Sequence, residues 1–164
     1  MRAVSESGSG YWVIVVTLLA AAILAVVPLD RSLAWWRPEW MLLVIIYWAI
    51  ALPHRIGLFT AFTLGLLMDV LEGGTLGQHM LAMGIVVTLA KLMYQRLRMF
   101  SSAQQATVIF VLAGIHQLIL QWLLGLQGLA VPGFAFLFPA ITSALLWPLL
   151  MPFLRGVRRV YGVT

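Results

Sequence analysis

The sequence predicts an all-α integral membrane protein of six transmembrane helices with both termini in the cytoplasm. Three observations carry this. Of 164 residues, 63% are hydrophobic and 9% charged, with a mean hydropathy of +1.03, whereas a soluble domain is roughly 25% charged. The apolar residues fall into six runs broken by Pro, Gly or charge. The few charges divide unevenly between the two sides that six crossings create.

The first run, about 11–27, follows Arg2 and continues apolar to Leu29. That exceeds the ~7 to 15 residues of a signal-peptide core, and no A-x-A-like site follows it, so it reads as a retained helix. The second, 38–52, covers only ~22 Å at 1.5 Å per residue. Either Trp35 and Trp36 extend it or the bilayer thins there, with a re-entrant hairpin of spans two and three as the alternative. Arg55 at the hairpin tip favours a full crossing, because a charge at mid-membrane costs roughly 2.5 to 3.5 kcal/mol. Trp35, Trp36 and Trp40 stand where an interfacial aromatic belt would anchor this short span.

The third run, 56–71, carries Gly57, Ala61, Gly65 and Asp69 at four-residue spacing, a narrow small-residue stripe along one helix face. It serves either packing within the chain or reception of a partner's helix. Asp69 closes the stripe, placed to cap the following turn or to pair with Arg31, Arg37 or His79. The Gly73-Gly74-Thr75-Leu76-Gly77 segment lacks the G-K-[ST] of a phosphate loop and follows no strand, so a tight turn with positive φ is expected. The fourth run is 77–94.

Runs five and six, 104–126 and 134–154, lie in a stretch from Met99 to Leu154 without any charged residue, divided by Gly125, Gly128, Pro132 and Gly133. His116, Gln117 and Gln121 are the main polar residues deep in a span. They are expected as interhelical hydrogen-bond glue rather than a transport site, since no acid accompanies them in their own span. Pro139, Pro148 and Pro152 predict a kinked last helix.

Sorting the loops by parity places Arg2, Arg55, Lys91, Arg96, Arg98, Arg155, Arg158 and Arg159 on one side against Glu6, a net of +7. Arg31 and Arg37 face Asp30, Glu39, Asp69 and Glu72 on the other, a net of −2, and the two make the chain's +5. The basic side is assigned to the cytoplasm. The bases form juxtamembrane clusters without aromatic interleaving, which argues against nucleic acid and points to anionic lipid. Lys91, Arg96, Arg98, Arg155, Arg158 and Arg159 are thus the candidate contacts for lipid head groups or a cytoplasmic filament.

Six spans of ~20 residues take about 120 positions, so 1–164 is a single transmembrane domain, with too little left over for the ~50 residues of an independent soluble domain. The absence of Cys removes thiolate chemistry and Cys-ligated metals. His54, His79 and His116 are assigned to the inner end, the outer end and the interior, too far apart for one metal. No G-x-S-x-G elbow surrounds any serine. No catalytic, cofactor-binding or metal residues are therefore assigned.

Arg37-Pro38-Glu39-Trp40 before an apolar run, then Ala51-Leu52-Pro53-His54-Arg55-Ile56-Gly57, Gly65-Leu66-Leu67-Met68-Asp69-Val70-Leu71 and Leu76-Gly77-Gln78-His79, resemble MreD, the rod-shape-determining membrane protein family. The resemblance covers nearly the whole chain. It implies a fold similar to the substrate-binding membrane subunits of vitamin (ECF-type) transporters. It also implies a non-enzymatic role in the cell-wall elongation machinery of the bacterial inner membrane. The partners it implies are MreC by direct binding, and MreB, the glycosyltransferase RodA and a penicillin-binding transpeptidase in the same complex; self-association is left open. Beside it, Gly57, Ala61, Gly65, Asp69, Arg37, Glu39 and Trp40 are the expected partner-helix interface. The alternative function is a small-molecule or vitamin-binding transporter subunit using His116, Gln117 and Gln121.

Overall fold

The structure, a computed structural model, describes residues 10–130 and 132–163, without the side chain of Arg31. Arg2 and Glu6 lie outside the described residues. Each of the six apolar runs contains one long helix: α1 Tyr11–Val26, α3 Trp40–Ala51, α4 Leu58–Glu72, α5 Gln78–Leu92, α7 Ser102–Leu126 and α8 Phe138–Val160. Short helices α2 (Arg31–Ala34) and α6 (Tyr94–Met99) lie between them, and a 3-10 turn at Ala135–Leu137 leads into α8. Among the described residues there is no strand. The segments Ser102–Leu126 and Ala135–Val160 are long and apolar enough to cross a membrane; α1, α3 and α5 are apolar but shorter.

Helix α3 is the centre of the bundle. All eleven residues from Met41 to Ala51 are buried, so this helix is sheathed by protein on every side, as an all-round apolar sequence requires. Helix α1 lies against it through Trp48, whose indole Nε1 donates to Thr17 Oγ1 at 2.9 Å. The expected extension of this span by Trp35 and Trp36 is not observed. Both follow α2 and are largely exposed, Trp36 stacking on Phe138 with centroids 4.5 Å apart. A helix enclosed by its neighbours need not itself match the hydrocarbon thickness, which removes the reason for extending it.

Helices α4 and α5 form a close antiparallel hairpin. Gly73 (φ 67°) ends α4 and Gly77 (φ 101°) precedes α5, the left-handed conformations that only glycine adopts cheaply. This is the tight turn expected from the sequence. A Cβ on Gly65 would lie 2.5 Å from Met80 Cα and 2.6 Å from His79 O, and one on Gly84 would lie 2.2 Å from the Phe62 ring. Missing side chains on both helices thus let the two backbones approach. Helix α7 opens with a capping box, in which the Ser101 hydroxyl accepts from Gln104 N and the Gln104 side chain accepts from Ser101 N. Helix α8 continues through Pro148 and Pro152 to Val160, six residues past the expected end of the last span, and carries Arg155, Arg158 and Arg159 on its final turns.

The ends of the bundle differ in chemistry. At one end Arg98 donates to the Ile50 and Ala51 carbonyls, Arg55 lies over the Tyr11 ring at 4.7 Å, and Arg158 Nε donates to Val163 O. The other end gathers Arg37, Glu39, Asp69 and His79. Most of the described bases thus lie at one end, and Glu39 and Asp69 lie at the other beside Arg37.

Candidate functional site

At the end opposite the basic cluster, the last turn of α1, the starts of α3 and α5, the end of α4 and the second half of α7 surround a cavity of about 650 Å³. Asp69 anchors one side. It is fully buried, and its carboxylate accepts from the backbone N–H of Gly77 and His79, both at 2.8 Å, and more distantly from Met80 N at 3.4 Å. These are the orphan donors at the start of α5, and a negative charge there is favoured by the helix dipole. The same carboxylate lies 3.0 Å from His79 Nδ1, while His79 Nε2 is 3.4 Å from Glu72 Oε2. Among the described side chains open to Asp69 in the sequence, His79 is the one it takes. Arg37 turns instead to the end of α1, where its guanidinium donates to the Ala25 and Val27 carbonyls; the side chain of Arg31 lies outside the described residues.

Glu39 organises the other side. Its backbone N–H donates to Ser143 Oγ at 2.9 Å on α8. Its Oε1 accepts from Gln117 Nε2 at 2.9 Å, and its Oε2 is in close contact with His116 Nδ1. Because a carboxylate only accepts, His116 Nδ1 is the donor side of this contact, and Nε2 is the ring nitrogen left for other partners. The imidazoles of His116 and His79 are 5.8 Å apart, centroid to centroid. A carboxylate, imidazole, imidazole, carboxylate series thus crosses the bundle, and Gln117 and Gln121 line the cavity beside it.

Several sequence expectations change here. The polar residues of α7 do have an acid beside them, the largely buried carboxylate of Glu39, which stands at the N-terminal boundary of α3 and is therefore invisible within their own span. His79 and His116, expected at different depths, meet where the first turn of α5 reaches α7. Among the described residues no group of three or more His, Asp or Glu suits a metal. The stripe Gly57/Ala61/Gly65/Asp69 is not an open face. Ala61, Gly65 and Asp69 are buried, and α5 lies directly against Gly65. Arg37, Glu39 and Asp69 are committed to contacts inside the chain, and Trp40, half-buried, lines the cavity at the start of α3. Most of the residues expected at a partner-helix interface thus serve packing and capping within the chain.

The basic cluster is only partly free. Arg98 satisfies the last carbonyls of α3, with Nη2 2.7 Å from Ile50 O and 2.9 Å from Ala51 O, and Arg158 closes the C-terminal turn on Val163. Arg96, Arg155 and Arg159 are exposed and Lys91 is half-buried. A second cavity of about 310 Å³ lies beneath Arg98, Arg155 and Arg158. In its wall, Gln105 receives the Trp147 indole N–H at 3.1 Å and donates to Leu97 O and Phe100 O. No sequence signal marks this buried network, because Gln105 and Trp147 each look ordinary on their own helix.

An all-helical bundle with a sheathed central helix, a base-rich end and a polar cavity at the other defines a small helical membrane protein. The chain belongs to the MreD family: residues 7–157 match the family described as rod shape-determining protein MreD. The rod shape-determining protein MreD of Haemophilus influenzae is 28% identical over 139 residues, covering 85% of this chain and 86% of that protein. No solved structure matches the chain. Membership makes this a membrane protein of rod-shape determination, a family of shape-determining rather than enzymatic proteins.

Proposed function

We propose that the chain is a non-enzymatic, multi-pass component of the cell-wall elongation machinery in the bacterial inner membrane, with six crossings and both termini cytoplasmic. In this role it binds MreC directly and works beside MreB, RodA and a penicillin-binding transpeptidase to organise peptidoglycan synthesis. The observation that carries the reading is the family match over residues 7–157. The segregation of bases to one end of the bundle supports the orientation, since retained positive charge marks the cytoplasmic side.

Because α5 packs against Gly65, MreC in this reading meets a face other than the Gly57/Ala61/Gly65 stripe. Arg96, Arg155 and Arg159, with Lys91, contact anionic head groups or the cytoplasmic filament, while Arg98 and Arg158 act chiefly as caps. The similarities to known proteins lend no support to a transporter subunit.

The test is depletion in a rod-shaped host combined with recovery of the tagged chain. Cells should round up, and MreC should co-purify. Depleted cells that keep their width, with MreC absent from the recovered material, would sink the proposal.

A further inference from the structure

The buried side-chain polar atoms without a hydrogen-bond partner, among the described residues, are Arg37 Nε, Glu39 Oε2, Gln78 Nε2 and both ring nitrogens of His116. All four residues line the same cavity of about 650 Å³. Close contact between Glu39 Oε2 and His116 Nδ1 accounts for one pair. His116 Nε2 remains, an acceptor when the ring proton sits on Nδ1, and Gln78 Nε2 and Arg37 Nε remain as donors. His116 and Gln78 are 3% and 7% exposed, so both are screened from open solvent. An unmet buried polar group costs about 1 to 3 kcal/mol, and placing all of them around one space makes that space the source of their partners.

Three features define the occupant. It must donate to His116 Nε2 and accept from Gln78 and Arg37, so it carries both donors and acceptors. The permanently charged side chains of the wall are Glu39 and Glu72 against Arg37, with His79 and His116 beside the two carboxylates; with neutral imidazoles this is an excess of carboxylate that disfavours an anion alone and favours a cationic group with N–H donors. The rest of the wall is apolar, through Leu42, Met68, Met83 and Leu120, and exposed Val26 and Leu71 stand at its rim. That mixture suits an amphiphile entering from the bilayer better than a freely soluble molecule.

We propose that this cavity binds the ammonium-phosphate zwitterion of an ethanolamine phospholipid head group. The primary ammonium donates to His116 Nε2 and to the Glu39 and Glu72 carboxylates, and the phosphate accepts from Gln78 Nε2 and Arg37 Nε. Choline lipid has the same charges without N–H donors, and glycerol lipid has the phosphate without the cation.

Native mass spectrometry of the full chain in detergent tests this, with phosphatidylethanolamine, phosphatidylcholine and phosphatidylglycerol offered in equal amounts. Ethanolamine lipid should be retained on the order of tenfold over choline lipid, as loss of a charge-assisted hydrogen bond implies. Gln78→Leu and Glu72→Gln should each erode that preference. Glu72 is half-exposed, so its variant keeps the measurement open if Gln78→Leu fails to fold, which thermal unfolding reports. Equal retention of the three lipids, preference for glycerol lipid, or an undiminished preference in both folded variants would overturn the proposal. Free phosphoethanolamine competing at equal concentration would overturn the lipid as the source.

Discussion

Gly65 lies against the backbone of Met80 so closely that a Cβ at position 65 would be 2.5 Å from the Met80 Cα. The obstacle is main chain, which has no rotamer by which to yield. Gly65→Ala should therefore push α4 and α5 apart and lower stability by about 1 to 3 kcal/mol, as overpacking does elsewhere. Gly114 is equally helical and buried, but a methyl group there would meet nothing within 4 Å, so Gly114→Ala should be neutral or slightly stabilising. Thermal unfolding of the two variants in detergent checks the contrast. If Gly65→Ala unfolds with the parent while losing MreC, the stripe is a partner surface after all.

Asp69 accepts from two or three backbone donors and a histidine from a site with no solvent exposure. Replacement by Asn turns one acceptor into a donor facing N–H groups. Asp69→Asn should cost about 1 to 3 kcal/mol, whereas Glu72→Gln, at a half-exposed position, should change stability by less than about 0.5 kcal/mol. Equal unfolding midpoints for the two variants would remove Asp69 as the cap of α5.

How much of this is legible in the sequence depends on the range of each interaction. The Gly73 and Gly77 turn is local, and the residues name it. The six apolar runs need only composition along the chain, and each run contains one long helix. The depth of α3 is not legible, because a helix apolar all round has no periodicity to say which face is covered. Nor is the Glu39 contact with His116 and Gln117. Polar groups on different helices are paired by packing across 77 and 78 residues of sequence, and nothing around either residue encodes the other. The stripe at Gly57, Ala61 and Gly65 announces a close approach without naming the approaching helix. That helix is the next one along the chain, which a short glycine turn makes the nearest candidate.

Gln105 and Trp147 supply a third test. The Trp147 indole is 1% exposed and donates to Gln105 Oε1 at 3.1 Å, while the Gln105 amide holds two carbonyls of the α6 to α7 connection. Gln105→Leu keeps the volume but strands one indole N–H and two carbonyls. A loss of about 2 to 4 kcal/mol is expected from the unmet groups together. Trp147→Phe removes the donor with its need and should cost less than Gln105→Leu, read as a smaller fall in the unfolding midpoint. The reverse order would show that indole volume, not the hydrogen-bond network, holds α7 to α8.

The basic end separates two kinds of arginine that the sequence could only group. Arg98 holds the terminal carbonyls of α3 with both Nε and Nη2, a charge-assisted cap at the negative end of the helix dipole. Arg98 is itself exposed, as are Arg96 and Arg159, so what sets it apart is its hold on the α3 carbonyls. Arg98→Gln should therefore lower the unfolding midpoint in detergent, by about 1 to 3 kcal/mol, and the loss should persist in salt because the contact is partly buried. Arg96→Gln with Arg159→Gln should leave that midpoint unchanged. In liposomes the pattern should invert: the double variant loses affinity for anionic vesicles by about 1 kcal/mol per charge, and the loss vanishes as salt rises. An exposed pair that destabilised the fold, or an Arg98 that altered only lipid binding, would reassign the two roles.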